Sequence, residues 1–172
     1  MSNYSLVDSA FAVVDSLGSA TFRFYKAADS TSYYLVLNHR NSIETWSDSS
    51  EKALTKFSAS SMAYNFTDDS SKAFGKNMIK LGTKWCLYGG DTNQDGVIDI
   101  TDMVLIDNDS YNFIGGYVST DVNGDGVVDI TDMVLVDNNS YNFVGVMKPG
   151  AKNIPKVVSI PHFQKNIKTS EK

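Results

Sequence analysis

The stretch DTNQDGVIDITDMVLIDNDSYNF, residues 91–113, returns as DVNGDGVVDITDMVLVDNNSYNF at residues 121–143. When the comparison is extended to residues 91–115 and 121–145, six of twenty-five aligned positions differ. Self-similarity at a fixed spacing is typical of a duplicated structural unit. This repeat decides the architecture of the C-terminal half of the chain, and the other segments are best interpreted around it.

Each repeat begins with a window of twelve residues whose side-chain oxygens are spaced to surround a bound ion. Side-chain oxygens stand at positions 1, 3, 5, 9 and 12, and glycine stands at position 6. This pattern predicts a Ca2+ loop in which position 7 contributes its backbone carbonyl, whereas Mg2+ prefers octahedral sites that keep water. Two calcium ions are therefore predicted. The expected ligands are Asp91, Asn93, Asp95, the carbonyl of Val97, Asp99 and Asp102, and then Asp121, Asn123, Asp125, the carbonyl of Val127, Asp129 and Asp132.

Aspartate, asparagine and glycine are also the usual residues of turns, so a turn without metal is the alternative interpretation of either window. The matching register of the two windows favours the metal interpretation. Position 12 is Asp102 or Asp132 instead of the more common glutamate, which shortens the side chain by one methylene. Position 8 is apolar, and its residues, Ile98 and Val128, are predicted to pair the two loops through a short backbone ladder.

A helix is predicted after each window. DMVLIDNDS, residues 102–110, and DMVLVDNNS, residues 132–140, begin with an aspartate suited to a helix N-terminus and continue with four apolar residues. Four consecutive apolar residues surround a helix, so they need cover from the sister repeat and from a further neighbour. The aromatic pairs Tyr111 with Phe113 and Tyr141 with Phe143 are predicted to pack the repeats against the preceding domain.

Residues 1–88 have the composition of β-structure. Strands are predicted at ATFRFY (20–25), SYYLVLNH (32–39), SMAYNF (61–66) and NMIKLGTKWCLY (77–88), with turn-rich segments between them. The predicted fold class is α+β, mainly β, with a small β-sandwich or barrel in residues 1–88. Residues 89–147 form the double calcium-binding repeat, and residues 148–172 form an extended arm that contains KVVSI.

The charge distribution excludes some partners. Removing the eight aspartates of the two windows from the formal net charge of −5 leaves +3 for the remaining chain. These acidic windows repel nucleic acid, and the lysines elsewhere form no basic stripe. Apolar runs reach only about six residues, far below the roughly 20 that span a bilayer. The single cysteine, Cys86, has no partner for an internal disulfide.

Two calcium loops, each followed by a helix and lacking the preceding helix, resemble the duplicated half EF-hands of dockerins, the calcium modules that bind cohesins. The resemblance covers about residues 89–147. In dockerins positions 10 and 11 carry much of the partner recognition, and here they are Ile100 with Thr101 and Ile130 with Thr131. Together with YYLVLNHRNSIETWS, AYNFT, KWCLYGGDTNQDG and the YNF endings, the chain is similar to a C-terminal module of secreted proteins from environmental Gram-negative bacteria.

The leading functional hypothesis is an extracellular or cell-surface calcium-binding interaction protein without enzymatic activity, whose protein partner could be a second copy. In one form the C-terminal arm adds a strand to a neighbouring sheet and builds a fibre. A docking or surface-anchoring module of a larger secreted enzyme is the first alternative. The second is a glycan-binding β-domain that uses His39, Arg40, Glu44 and Trp46.

Overall fold

The computed structural model describes residues 5–15, 17–28, 32–48, 55–56 and 63–150. Within these residues there are more strands than helices, in a mixed α+β fold, and no helix is long and apolar enough to cross a membrane. An arm is predicted at residues 148–172, and the part of it after residue 150 lies outside the described residues. The elements are β1 (Ser32–Tyr33), β2 (Val36–His39), β3 (Ser42–Trp46), β4 (Thr55–Lys56), two short 3-10 helices (Ser70–Lys72 and Phe74–Lys76), β5 (Ile79–Leu81), β6 (Lys84–Cys86), α1 (Ile100–Tyr111) and α2 (Ile130–Tyr141).

The described strands form three separate antiparallel pairs, β1 with β4, β2 with β3, and β5 with β6. The pairing of β2 with β3 shifts its register between Leu37 and His39. Arg40 and Asn41 make the turn between these two strands. This turn matters for function because it places both side chains against the second repeat.

The predicted strand at residues 20–25 is wrong, because this segment carries no strand. A strand needs a neighbour to satisfy its backbone, and here the N–H groups of Tyr25 and Lys26 donate to the Asp8 carboxylate, at 2.6 Å each. The strand predicted at 32–39 divides into β1 and β2, and the one at 77–88 forms the β5–β6 hairpin. Residues 63–65 carry no strand, and residues 61–62 lie outside the described part. The sandwich or barrel stays a prediction.

Each helix begins two residues earlier than the sequence pattern indicates, at Ile100 and Ile130. Asp99 and Asp129 are the N-cap residues, and each forms a capping box with the aspartate three residues later. The box satisfies two of the backbone N–H groups that a helix start leaves without partners. The residues that the pattern assigns to calcium therefore also start the helices.

Each helix ends in a Schellman motif that has phenylalanine where glycine is usual. Phe113 and Phe143 adopt φ of 54° and 53°, in the left-handed region. In the first repeat the N–H of Phe113 donates to the Ser110 carbonyl (3.1 Å) and the N–H of Ile114 to the Asp109 carbonyl (2.9 Å). This is the pair of hydrogen bonds that defines the motif.

One hydrophobic core joins both repeats to the N-terminal part of the chain. Equivalent positions of the two repeats supply most of it, and Ile43 of β3 completes it. The N–H of Ile43 donates to the Tyr88 carbonyl at 2.9 Å, so the hairpin is also attached through its backbone. The core therefore crosses residue 89, where the sequence predicts a division. Its buried members are Ile43, Ile98, Ile106, Val128, Val136 and Val144.

Candidate metal centres

The twelve predicted ligands all lie in described segments, and each loop leads directly into a helix. Asp102 lies in the first turn of α1 and is fully buried. Its Oδ1 accepts the N–H groups of Thr92 (2.7 Å) and Asn93 (3.2 Å), and its Oδ2 accepts the N–H of Asp99 (3.0 Å). The final carboxylate of the first loop thus holds both ends of that loop at the helix N-terminus.

The second loop repeats this arrangement almost atom for atom. Asp132 is also fully buried, and its Oδ1 accepts the N–H groups of Val122 (2.8 Å) and Asn123 (2.9 Å). Its Oδ2 accepts the N–H of Asp129 at 3.0 Å. The shorter side chain at position 12 therefore reaches the loop backbone in both repeats.

The middle of each loop is a series of local side-chain turns. In the first loop Asn93 Oδ1 accepts the N–H of Asp95 (2.9 Å), and Asp95 Oδ1 accepts the N–H of Val97 (2.9 Å). The Asn93 amide donates to Asp95 Oδ2 and to the Thr101 hydroxyl, at 3.0 Å each. The same contacts recur in the second loop. Asp, Asn and Gly thus form the turns of each loop through contacts between neighbouring residues.

The predicted backbone ladder between Ile98 and Val128 is wrong. Val97 instead forms a bridge with Gly145, and Val127 forms one with Gly115. Each loop therefore pairs with a segment that follows a helix. The reason is that the Ile98 N–H donates to the Val144 carbonyl at 2.9 Å, while the side chains of Ile98 and Val128 lie in the shared core.

Asp91, the first predicted ligand, is buried without full compensation. It is 2 % exposed, and its Oδ1 is the buried side-chain atom of the described residues that has no hydrogen-bond partner. Burial, together with the nearby charges of Asp102 and Asp95, raises the pKa of Asp91 to about 6, although the backbone N–H groups of Gly96 and Asp95 oppose the rise. A buried carboxylate oxygen without a donor, close to other carboxylates, is an oxygen that a cation would satisfy.

Asp121 occupies the same position of the second loop in a different environment. Its Oδ1 accepts the N–H of Gly124 (2.8 Å), and its Oδ2 accepts the N–H of Gly126 (3.1 Å). The Arg40 guanidinium lies 3.8 Å from Asp121 Oδ2. The two loops thus have similar backbones, but the negative charge of the first aspartate is compensated by different partners in each loop.

Asp99 and Asp129 are partly exposed to solvent at the helix starts. The Thr101 hydroxyl and backbone N–H lower the pKa of Asp99, and Thr131 lowers the pKa of Asp129 in the same way. Both carboxylates are therefore ionised at neutral pH, as a calcium ligand must be.

The chemistry of the loops fits calcium. Their donors are carboxylate, amide and carbonyl oxygens, which Ca2+ takes in sets of six to eight. Among the described residues, no group of three His, Cys, Asp or Glu side chains is arranged to hold a metal. Several of the loop carboxylates instead accept loop N–H groups.

The residues considered for glycan binding are engaged within the protein. The Trp46 indole N–H donates to Glu44 at 2.6 Å, and its ring lies 5.9 Å from that of Tyr34. His39 Nδ1 lies 3.2 Å from the Ser42 hydroxyl, and burial lowers the pKa of His39. Arg40 contacts the second loop.

Comparison of the chain with family models, curated proteins and solved structures found no match. The interpretation of the two loops therefore rests on their sequence pattern and on the contacts described above.

Sequence reasoning missed two residues that complete the site, Arg40 and Asn41. Both donate to the Asp121 carbonyl, at 3.0 Å and 2.8 Å, across some eighty residues of chain. No spacing pattern signals a contact of this range. Local signals could have found the two threonines, since Thr101 and Thr131 stand two residues after a helix-capping aspartate.

Proposed function

We propose that this chain is an extracellular, calcium-dependent protein-interaction module without catalytic activity. Calcium in the two loops fixes α1 and α2 against the β2–β3 hairpin and gives their outer surface one rigid shape. The observation that carries the proposal is the buried, unpartnered Oδ1 of Asp91 among the carboxylates of the first loop.

Electrostatics supports a role for metal. Each loop carries four aspartates, and without a cation those of the first loop repel one another around Asp91. An ion that binds the folded loop and not the unfolded chain stabilises the fold by mass action. Even weak sites, of about 0.1 to 1 mM, are filled at the calcium level outside cells. This is the physical basis for proposing an extracellular or cell-surface location.

The outer surface of the helices supports protein docking. Ile100 is 63 % exposed and Ile130 is 65 % exposed at the same position of the two repeats. The residue four positions later shares that face of the helix, the next residue extends the surface to one side, and both are exposed and apolar. A duplicated apolar face fits a protein partner better than a polar ligand. The further members of this helix face are Val104, Leu105, Val134 and Leu135.

The partner is a protein with a complementary apolar surface. A second copy of the chain would make the protein self-assembling, whereas another protein would make it a docking or anchoring module, as the dockerin resemblance implies. Fibre growth by strand addition involves the segment KVVSI at 156–160, which lies outside the described residues.

The test is particle size by light scattering in about 2 mM calcium and then in excess chelator, a range that covers extracellular sites. The variant with both Ile100→Lys and Ile130→Lys disrupts the helix face, and Leu81→Lys, at an exposed apolar residue of β5, is its matched control. Calcium-dependent assembly that only the double variant abolishes supports a second copy as partner. A monomer that calcium makes more compact supports a different protein as partner. No calcium-dependent change in size, compactness or stability contradicts the proposal.

A further inference from the structure

We infer that the two loops are unequal cation sites, in which the first loop binds Ca2+ more tightly and Arg40 of the β2–β3 turn weakens metal binding by the second. This inference rests on the proposed function, and it assigns both the order of binding and the residue that sets it.

Arg40 is fixed against the start of the second loop. Its Nε donates to the Val118 carbonyl at 2.9 Å, and its Nη2 donates to the Asp121 carbonyl at 3.0 Å. The guanidinium carbon lies 4.1 Å from the centre of the Tyr117 ring. With the ion pair to Asp121, these contacts hold the guanidinium on several sides. Arg40 therefore acts as a counter-ion that is part of the fold.

The first loop has a neutral residue in the comparable role. Gln94 Nε2 donates to the Asp91 carbonyl at 2.6 Å and to the Ser42 carbonyl at 3.4 Å. The contact ties the first loop to β3 as Arg40 ties the second, but it brings no positive charge. Asp91 Oδ1 stays without a partner.

The difference has a direct consequence for cation binding. A calcium ion at Asp121 approaches a fixed guanidinium and displaces the N–H groups of Gly124 and Gly126 from the carboxylate. The backbone N–H groups of Gly96 and Asp95 also act on the Asp91 carboxylate, but its Oδ1 accepts no hydrogen bond, and no guanidinium lies beside it among the ion pairs of the described residues. An ion at Asp91 Oδ1 therefore displaces no donor from that atom and relieves the repulsion among the carboxylates. Since like charges a few ångströms apart repel strongly where water is partly excluded, the second loop has the lower affinity.

The two loops also differ in whether they need metal to be held in the folded structure. Arg40 and Asn41 hold the second loop to the hairpin without metal, since both donate to the Asp121 carbonyl. The first loop contains the uncompensated charge. Calcium therefore stabilises mainly the first loop. In the second loop the Arg40 guanidinium already compensates part of the negative charge.

The test is calorimetric titration of chelator-treated protein with Ca2+ alone, for the wild type and three variants. Two binding steps are expected, separated by about tenfold or more in Kd. Asp91→Asn removes the tighter step, and Asp121→Asn removes the weaker one. Arg40→Gln, which keeps an amide donor and loses the charge, tightens the weaker step by about fivefold or more. Circular dichroism of each variant confirms that it is folded.

Two equal steps in the wild type overturn this inference and leave the proposed function standing. Loss of the weaker step in Asp91→Asn, with the tighter one retained, overturns it as well. A wild type that binds no calcium at millimolar concentration overturns both the inference and the proposed function. If Arg40→Gln does not fold, the comparison of Asp91→Asn with Asp121→Asn decides the order of binding by itself.

Discussion

At the residue scale, the first aspartates of the two loops show how one sequence position acquires two environments. Asp91 is buried with an unpartnered oxygen, whereas Asp121 is balanced by Arg40 and by two backbone N–H groups. The cost of a buried charge depends on its partners more than on its burial. The two side chains should therefore respond in opposite directions to the same substitution.

Asp91→Asn should stabilise the metal-free protein, because it removes a buried charge while keeping the shape of the side chain. We expect a gain of roughly 1 to 2 kcal/mol, given that one pKa unit is about 1.4 kcal/mol and that the amide still leaves a polar atom buried. At about 2 to 4 °C per kcal/mol for a chain of this size, thermal unfolding in chelator measures it.

Asp121→Asn is the matched comparison and should destabilise the metal-free protein by about 1 to 3 kcal/mol. It leaves the Arg40 guanidinium without its partner and places an amide N–H opposite a backbone donor. If both substitutions lower the Tm equally, the proposed difference between the loops is wrong.

The pH dependence of stability follows from the raised pKa of Asp91. Because the folded-state pKa is about 6 and the ordinary value is 3.8, the folded protein binds more protons than the unfolded chain between these values. Stability of the metal-free protein therefore falls as pH rises through this window. Chemical unfolding at a series of pH values should show this fall in the wild type and lose it in Asp91→Asn. If the stability of the wild type depends on pH in the same way as that of Asp91→Asn, the assignment of the raised pKa to Asp91 is wrong.

At the scale of elements, the helices could be predicted from sequence and their ends could not. The apolar runs after each loop indicate α1 and α2, but Asp99 and Asp129 also fit a calcium ligand, so the pattern places the N-terminal aspartate at Asp102 and Asp132, three residues after the true caps. At the other end, nothing in the residue type of Phe113 or Phe143 indicates a left-handed backbone.

The prediction that the aromatic pairs pack the repeats against the preceding domain is wrong. Phe113 is 95 % exposed and Phe143 is 71 % exposed, and both tyrosines are exposed as well. In the second repeat the residue after the phenylalanine, and not the phenylalanine itself, enters the core. Val144 is that following residue in the second repeat, and it is buried.

Phe113→Gly should stabilise α1 by about 0.5 to 1 kcal/mol, since glycine adopts positive φ without the strain that a side chain causes. The exposed ring loses little packing in the isolated protein. Thermal unfolding of the monomer measures the gain. A loss of more than about 1 kcal/mol would indicate that the ring is buried in the native protein.

At the scale of the whole molecule, one core holds the hairpin and the repeats together. The sequence identifies the repeats as a unit, since the same residues recur at a fixed spacing. It does not identify Ile43 as part of their core, because Ile43 lies far from the repeats in the chain. Its place in an alternating apolar pattern is typical of any strand. Contacts between residues some eighty positions apart, such as those of Arg40, cannot be predicted from local patterns for the same reason.

Ile43→Ala should destabilise the hairpin and the repeats together, by about 2 to 5 kcal/mol, because it leaves a cavity in a fully buried site. Tryptophan fluorescence, which reports on Trp46 and Trp85, and helical circular dichroism should then shift to the same lower midpoint. Leu81→Ala, at an exposed apolar side chain of β5, is the control and should change the midpoint little. Separate midpoints for the two signals would show that the hairpin and the repeats unfold independently.

The central claim is that calcium binds and stabilises the loop-helix pair, and thermal unfolding of the wild type with and without calcium tests it most directly. In about 2 mM calcium, a site with a Kd near 0.1 mM adds roughly 2 kcal/mol, which raises the Tm by several degrees. Magnesium at the same concentration should give a much smaller shift. An equal Tm in calcium and in chelator, with no calcium retained on equilibrium dialysis, would contradict the account.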